Sequence, residues 1–382
     1  MSSPSDALST RESLYTYYKE TLTELRPKYL STFGTYARDL KLSYEQVLLE
    51  IDDDEWRPNA YARRLDDKSY RIGITRGLFE RLIYLVNLLV RSPPDRSTLY
   101  ISGCDYAWKD PDVSLYDYRD DSDLVLTEPR LRPLLAAYND AATYERDFDL
   151  SWGVSWPAAQ VQNRTSALRF YWVINFVVFH EMSHILLRHL EKSKSAHNLA
   201  VISETTSTAE VPLERRRLME GQADFQATTM LVYTLPGLRE AARGDPVDTT
   251  MQRFMWTFAF LMFGLFAFWG KTRKSLTLQD NFLHPHPEFR KLLFLETVDN
   301  TLRGNPAARQ AWHTSAQEAN HDIQNAYHSI GAPGVADTVL NEFAGVKEET
   351  IRAWQAKFHR KYREYYAALS EFSQYMNSTW SR

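Results

Sequence analysis

The run WVINFVVFHEMSHILL, residues 172–187, constrains this chain more than any other stretch. It carries apolar residues on nearly every side of a helix, which is the pattern of a helix buried in a core. Yet His180, Glu181 and His184 sit in its middle. A buried carboxylate has to be paired or coordinated, because an isolated buried charge costs several kcal/mol or is neutralised. His180 and His184 are one turn apart, so their imidazoles leave the helix on one face and can bind one Zn²⁺. Glu181 is next to the first histidine. It is too close in sequence to share the tetrahedron easily, but well placed to act as a general base on an activated water. The competing reading is a histidine pair satisfied by core hydrogen bonds, with Glu181 in a structural ion pair.

A zinc site of this type needs a third ligand. A third histidine ten positions after the first is excluded, because Leu190 stands there. His189 lies five residues past His184, off the metal face of a straight helix. Downstream, LMEGQADFQ presents Glu220 and Asp224 at i and i+4, again on one face. Glu220 can complete the ligand set, and Asp224 can accept the second ring N–H of a ligand histidine and fix its tautomer. A solvated helix face near Arg215, Arg216 and Arg217 is the alternative for this pair.

HEMSHILLRH, then EGQAD, then HPHPEFR occur in that order over about residues 166–290. In this the chain resembles the gluzincin metallopeptidases of the HtpX, BepA and Oma-type group. The interval from His184 to Glu220 is shorter than in that group and is similar to that of the Lit-type phage-exclusion peptidases, so both branches stay open. The resemblance implies that His180, His184 and Glu220 are zinc ligands, that Glu181 is the general base, and that Asp224 supports the ligands from outside. It also implies that the His284–Pro285 turn covers the cleft and that Arg290 anchors it. His284 is then the leading candidate for stabilising an oxyanion, with His286 second. The implied partner is a protein or peptide substrate.

Around this motif the chain reads as a predominantly helical α+β protein. A metallopeptidase core over 96–300, a small mixed or antiparallel sheet plus active-site helices, is flanked by helical regions 1–95 and 301–382. In the first region SLYTYYKETLTEL reads as a helix stopping at Pro27. SYEQVLLEI reads as a helix opened by Ser43 and Gln46 at capping-box spacing, and GLFERLIYLVNLLV as a third helix ending at the prolines after Ser92. TLYIS, DLVLT and the alternating FDLSWGVSW (148–156) are strand candidates, the last a possible cleft edge. A helix from about Ser166 to Lys192 precedes an exposed loop over 191–211. In the last stretch Ile351, Trp354, Phe358, Tyr362, Tyr365, Leu369, Phe372 and Met376 form an apolar stripe expected to pack on the parent domain.

The net charge of −4 gives no reason to expect nucleic acid as a partner. The single cysteine, Cys104, excludes an intrachain disulfide or a Cys-based zinc site. The first residues lack the basic start and apolar core of a secretory signal, so the cytoplasm is the expected compartment. Phe254–Gly270 carries no charge and lies between Arg253 and the basic Lys271, Arg273 and Lys274. It sits at the short limit for a membrane span, and a central core helix is the favoured reading over membrane association. A non-catalytic helical interaction or membrane-associated protein with a structural or inactive metal site, using this segment and the C-terminal stripe, is the rival to the peptidase.

Overall fold

The computed structural model describes residues 11–56, 59–91, 160–192, 201–203, 213–270, 287–329, 356–357 and 359–371. Most are helical, and one small mixed sheet makes the fold α+β. In chain order the elements are α1 (Arg11–Asp39), β1 (Gln46–Asp52), β2 (Ala60–Arg64), β3 (Ser69–Thr75) and α2 (Arg76–Arg91). Then come α3 (Gln160–Leu186), α4 (His189–Lys192), β4 (Val201–Ser203), α5 (Leu213–Thr234) and α6 (Pro236–Arg243). Next are α7 (Thr249–Gly270), α8 (Pro287–Thr301) and α9 (Pro306–Ser329). Residues 359–371 form α10.

The sheet has the order β1-β3-β2-β4. β1 runs parallel to β3 from Gln46↔Ser69 to Asp52↔Thr75. β2 is antiparallel to β3 and to β4. Asp66 shapes the β2–β3 turn, its Oδ1 accepting from the backbone N–H groups of Lys68 and Ser69 at 2.8 Å each. Opposite Tyr61, a Cβ at Gly73 would lie 2.2 Å from the tyrosine ring, so glycine here lets that ring lie across the β3 backbone.

Helix α3 lies at the centre. Residues Phe176 to Leu186 are all buried, because α1, α2, α5, α7 and the sheet cover it on different sides. The Tyr29 hydroxyl donates to Asn175, tying α1 to α3. Trp172 meets Phe254 at 4.9 Å and Phe176 meets Phe266 edge-on at 5.7 Å, locking α3 to α7. On the other side of α7, Phe258, Phe294 and Trp312 join it to α8 and α9.

Several expectations are corrected. Residues 43–51 do not form a helix: they feed β1, where Val47 and Leu49 alternate inward with period two. The N-terminal region therefore supplies three of the strands, although most of its described residues still lie in the two helices α1 and α2. Helix α1 does not stop at Pro27 but runs through it. Pro27 removes one helical hydrogen bond, to the carbonyl of Thr23. Both residues are exposed, so water can serve that carbonyl, while Tyr18, Leu22, Tyr29 and Phe33 are buried on either side and hold the helix down. The expected helix 166–192 breaks after Leu186. The expected loop 191–211 contains β4, which adds to the β2 edge.

Residues 254–266 of α7 are buried, which is the core-helix arrangement. Among the described residues no helix is long and apolar enough to cross a membrane. In the C-terminal stripe Tyr362 and Tyr365 pack around Phe289 of α8, and Leu369 is buried. Ile351, Trp354, Phe358, Phe372 and Met376 lie outside the described residues, as do the strand candidates at 98–102, 123–127 and 148–156.

Candidate metal centre

Two helices bring the chemistry together. α3 carries His180, Glu181 and His184, and α5 packs along it with Glu220 and Asp224. All five are buried, at 1–3 % exposure. Across the helix pair, Nε2 of His180 is 3.1 Å from Glu220 Oε2 and 3.1 Å from Nε2 of His184. Nε2 of His184 is 3.5 Å from the same carboxylate oxygen. These three atoms form a nearly equilateral triangle. A tetrahedral ion with bonds of about 2.0–2.1 Å needs its ligand atoms roughly 3.3 Å apart, which is the size found. His180, His184 and Glu220 are thus a group that can hold a metal ion. An N₂O donor set of two imidazoles and a carboxylate is one that zinc accepts.

The other side of His180 shows which nitrogen is free to bind. Its Nδ1 lies 2.9 Å from Asp224 Oδ1. A carboxylate only accepts, so Nδ1 carries a proton, and Nε2, which faces the triangle, is the nitrogen that can give up its proton to an ion. Asp224 is itself held by Arg290 of α8, whose Nε and guanidinium NH₂ each donate at 2.7 Å. This fork is the strong bidentate form of the pair. Burial alone would raise the Asp224 carboxyl, but the charge of Arg290 and the hydrogen bond from His180 hold it below the usual range. Burial likewise pulls His180 down, yet Asp224 and Glu220 together push it up to about 10. In the metal-free protein a proton therefore sits where a cation would.

Gly221, between Glu220 and the rest of the α5 face, lets α10 dock. A Cβ there would lie 1.9 Å from the Tyr365 hydroxyl. Tyr365 also stacks on Phe289, at 5.8 Å and 21° between ring planes, next to Arg290. α10 thus braces both helices that supply the outer part of the site.

The structure brings together His180, His184, Glu220, Asp224 and Arg290, and it buries Glu181 beside His180 on α3. Arg290 is found forked on Asp224. His284 and His286, expected above the cleft, lie outside the described residues. His189 does stay out of the ligand triangle, though not because the helix is straight. Arg188 takes a left-handed conformation (φ 53°), α3 ends, and the His189 ring turns back to reach His184. Gln222 was not anticipated: two residues from Glu220, it points to a different side of α5, and the break before His189 brings that ring within reach of it. Comparisons of the chain with protein-family models, curated proteins and solved structures gave no match.

Proposed function

We propose that this chain is a zinc-dependent endopeptidase of the gluzincin type, acting on a protein or peptide substrate. The observation that carries this reading is the triangle of His180 Nε2, His184 Nε2 and Glu220 Oε2, with Asp224 fixing the His180 tautomer and Glu181 beside it in the buried helix. His180, His184 and Glu220 would hold the ion. Bound Zn²⁺ supplies Lewis-acid polarisation and brings the pKa of water toward neutrality.

Glu181 is the general base in this reading. It takes a proton from the attacking water and returns it to the leaving amine as the peptide bond breaks. Asp224 and Arg290 keep the His180 ring oriented, so the ligand nitrogen needs no rearrangement when the ion arrives. His284 is assigned as the donor to the developing oxyanion, ahead of His286. A site that serves structure alone has no use for a base next to its ligands, and the HEMSH motif retains one.

The test is Glu181→Gln. The variant is expected to bind zinc like the parent and to lose peptide hydrolysis by at least about a hundredfold, the lower end of a general base's contribution. Hydrolysis at the parent rate with zinc in place would overturn the assignment.

A further inference from the structure

The two histidine ligands are supported in different ways. His180 leans on the Asp224–Arg290 ion pair. His184 leans on a neutral chain: its Nδ1 is 2.9 Å from Nδ1 of His189, and Nε2 of His189 is 3.1 Å from Gln222 Oε1. His184, His189 and Gln222 are 1 %, 0 % and 5 % exposed.

The direction of this chain follows from its far end. An amide oxygen can only accept, so His189 carries its proton on Nε2. Its Nδ1 then offers a lone pair, and the contact with His184 is made only if His184 carries its proton on Nδ1. That leaves the Nε2 lone pair of His184 facing His180 Nε2 and Glu220 Oε2. We propose that Gln222 and His189 are positioning residues that set the tautomer and ring orientation of His184 as a metal ligand. This rests on the metal-binding part of the reading above, and not on peptide hydrolysis.

The backbone is built for this contact. On a continuous helix the residue five after His184 would point away from it. Arg188, a non-glycine residue in the left-handed region, ends the helix and brings His189 back. A neutral chain also orients His184 without adding a further charge to a buried space that already holds Glu181, Glu220 and Asp224.

The experiment is zinc affinity by chelator competition on the full chain, for the parent, Gln222→Leu, Gln222→Glu and His189→Leu. Loss of an outer partner typically weakens metal binding about 10–100-fold. Gln222→Leu is expected to weaken zinc about tenfold, at the low end of that range. Gln222→Glu keeps an acceptor oxygen and is expected to bind at least as tightly as the parent. Adding Gln222→Leu to His189→Leu is expected to cost nothing further, because the chain is already broken. Should His189→Leu fail to fold, the two Gln222 variants still decide. Imidazole ¹⁵N–¹H spectra of the zinc-loaded parent should place protons on His184 Nδ1 and His189 Nε2. Parent-like affinity in Gln222→Leu, equal weakening in Gln222→Leu and Gln222→Glu, or a proton on His189 Nδ1 would each overturn the proposal. A parent chain that takes up no zinc would instead refute the metal reading itself.

Discussion

Asp224 is held by three hydrogen bonds within the site, and its removal has a calculable cost. It accepts two bonds from Arg290 and one from His180, and both it and Arg290 are almost wholly buried. Breaking a buried ion pair by deleting one partner costs roughly 3–5 kcal/mol, mostly because the other charge is left without compensation. The lost His180 contact adds about 1 kcal/mol. Asp224→Ala should therefore destabilise the metal-free protein by about 4–6 kcal/mol in all. Arg290→Met, which leaves His180 to compensate Asp224, should cost less, about 3 kcal/mol. The double variant Asp224→Ala/Arg290→Met should be more stable than the sum of the single losses by at least ~2 kcal/mol, since it removes both charges of the pair together. Urea unfolding followed by tryptophan fluorescence, with chelator present so that metal linkage does not contribute, measures all three. Single variants within about 0.5 kcal/mol of the parent, or strict additivity in the double, would refute the view that this pair is a coupled, desolvated unit.

Two further outcomes follow from the same geometry. His180 must be neutral to bind a metal, and in the metal-free protein it keeps its proton up to about pH 10. Zinc has to displace that proton, so apparent affinity should rise about tenfold per pH unit from pH 7 to 9, as measured by chelator competition; an affinity independent of pH contradicts the assignment. Gly221→Ala forces a Cβ into the Tyr365 hydroxyl, so α10 should detach or shift. Its backbone amides should exchange hydrogen faster while those of α3 hardly change, and unaltered exchange in residues 359–371 would show that the contact is not needed.

The core of the site was legible because its signals are local. The i, i+4 pairs His180/His184 and Glu220/Asp224 define faces of single helices, and an apolar surround marks α3 as buried. Two of the sheet's three pairings were not legible, because they are not local. β1 joins β3 across the intervening β2, and the three-residue β4 is a strand only by virtue of β2, far earlier in the chain. Val47 and Leu49 offer too short an alternation to outweigh the helix-like spacing of Ser43 and Gln46. At Pro27 the local rule was outweighed by the aromatic side chains that pack on both sides of it. The break at Arg188 had no glycine or proline to announce it, and the contact of His189 with Gln222 exists only once α5 has packed on α3.

Elemental analysis of metal per chain tests the central claim most directly. The protein would be purified without added metal, stripped with chelator and reloaded, beside Glu220→Ala treated identically. One zinc per parent chain, recovered on reloading and largely lost from the folded Glu220→Ala variant, is the predicted result. A folded parent that neither contains nor takes up zinc, or a variant that binds it equally well, would contradict the assignment of His180, His184 and Glu220 as a metal centre.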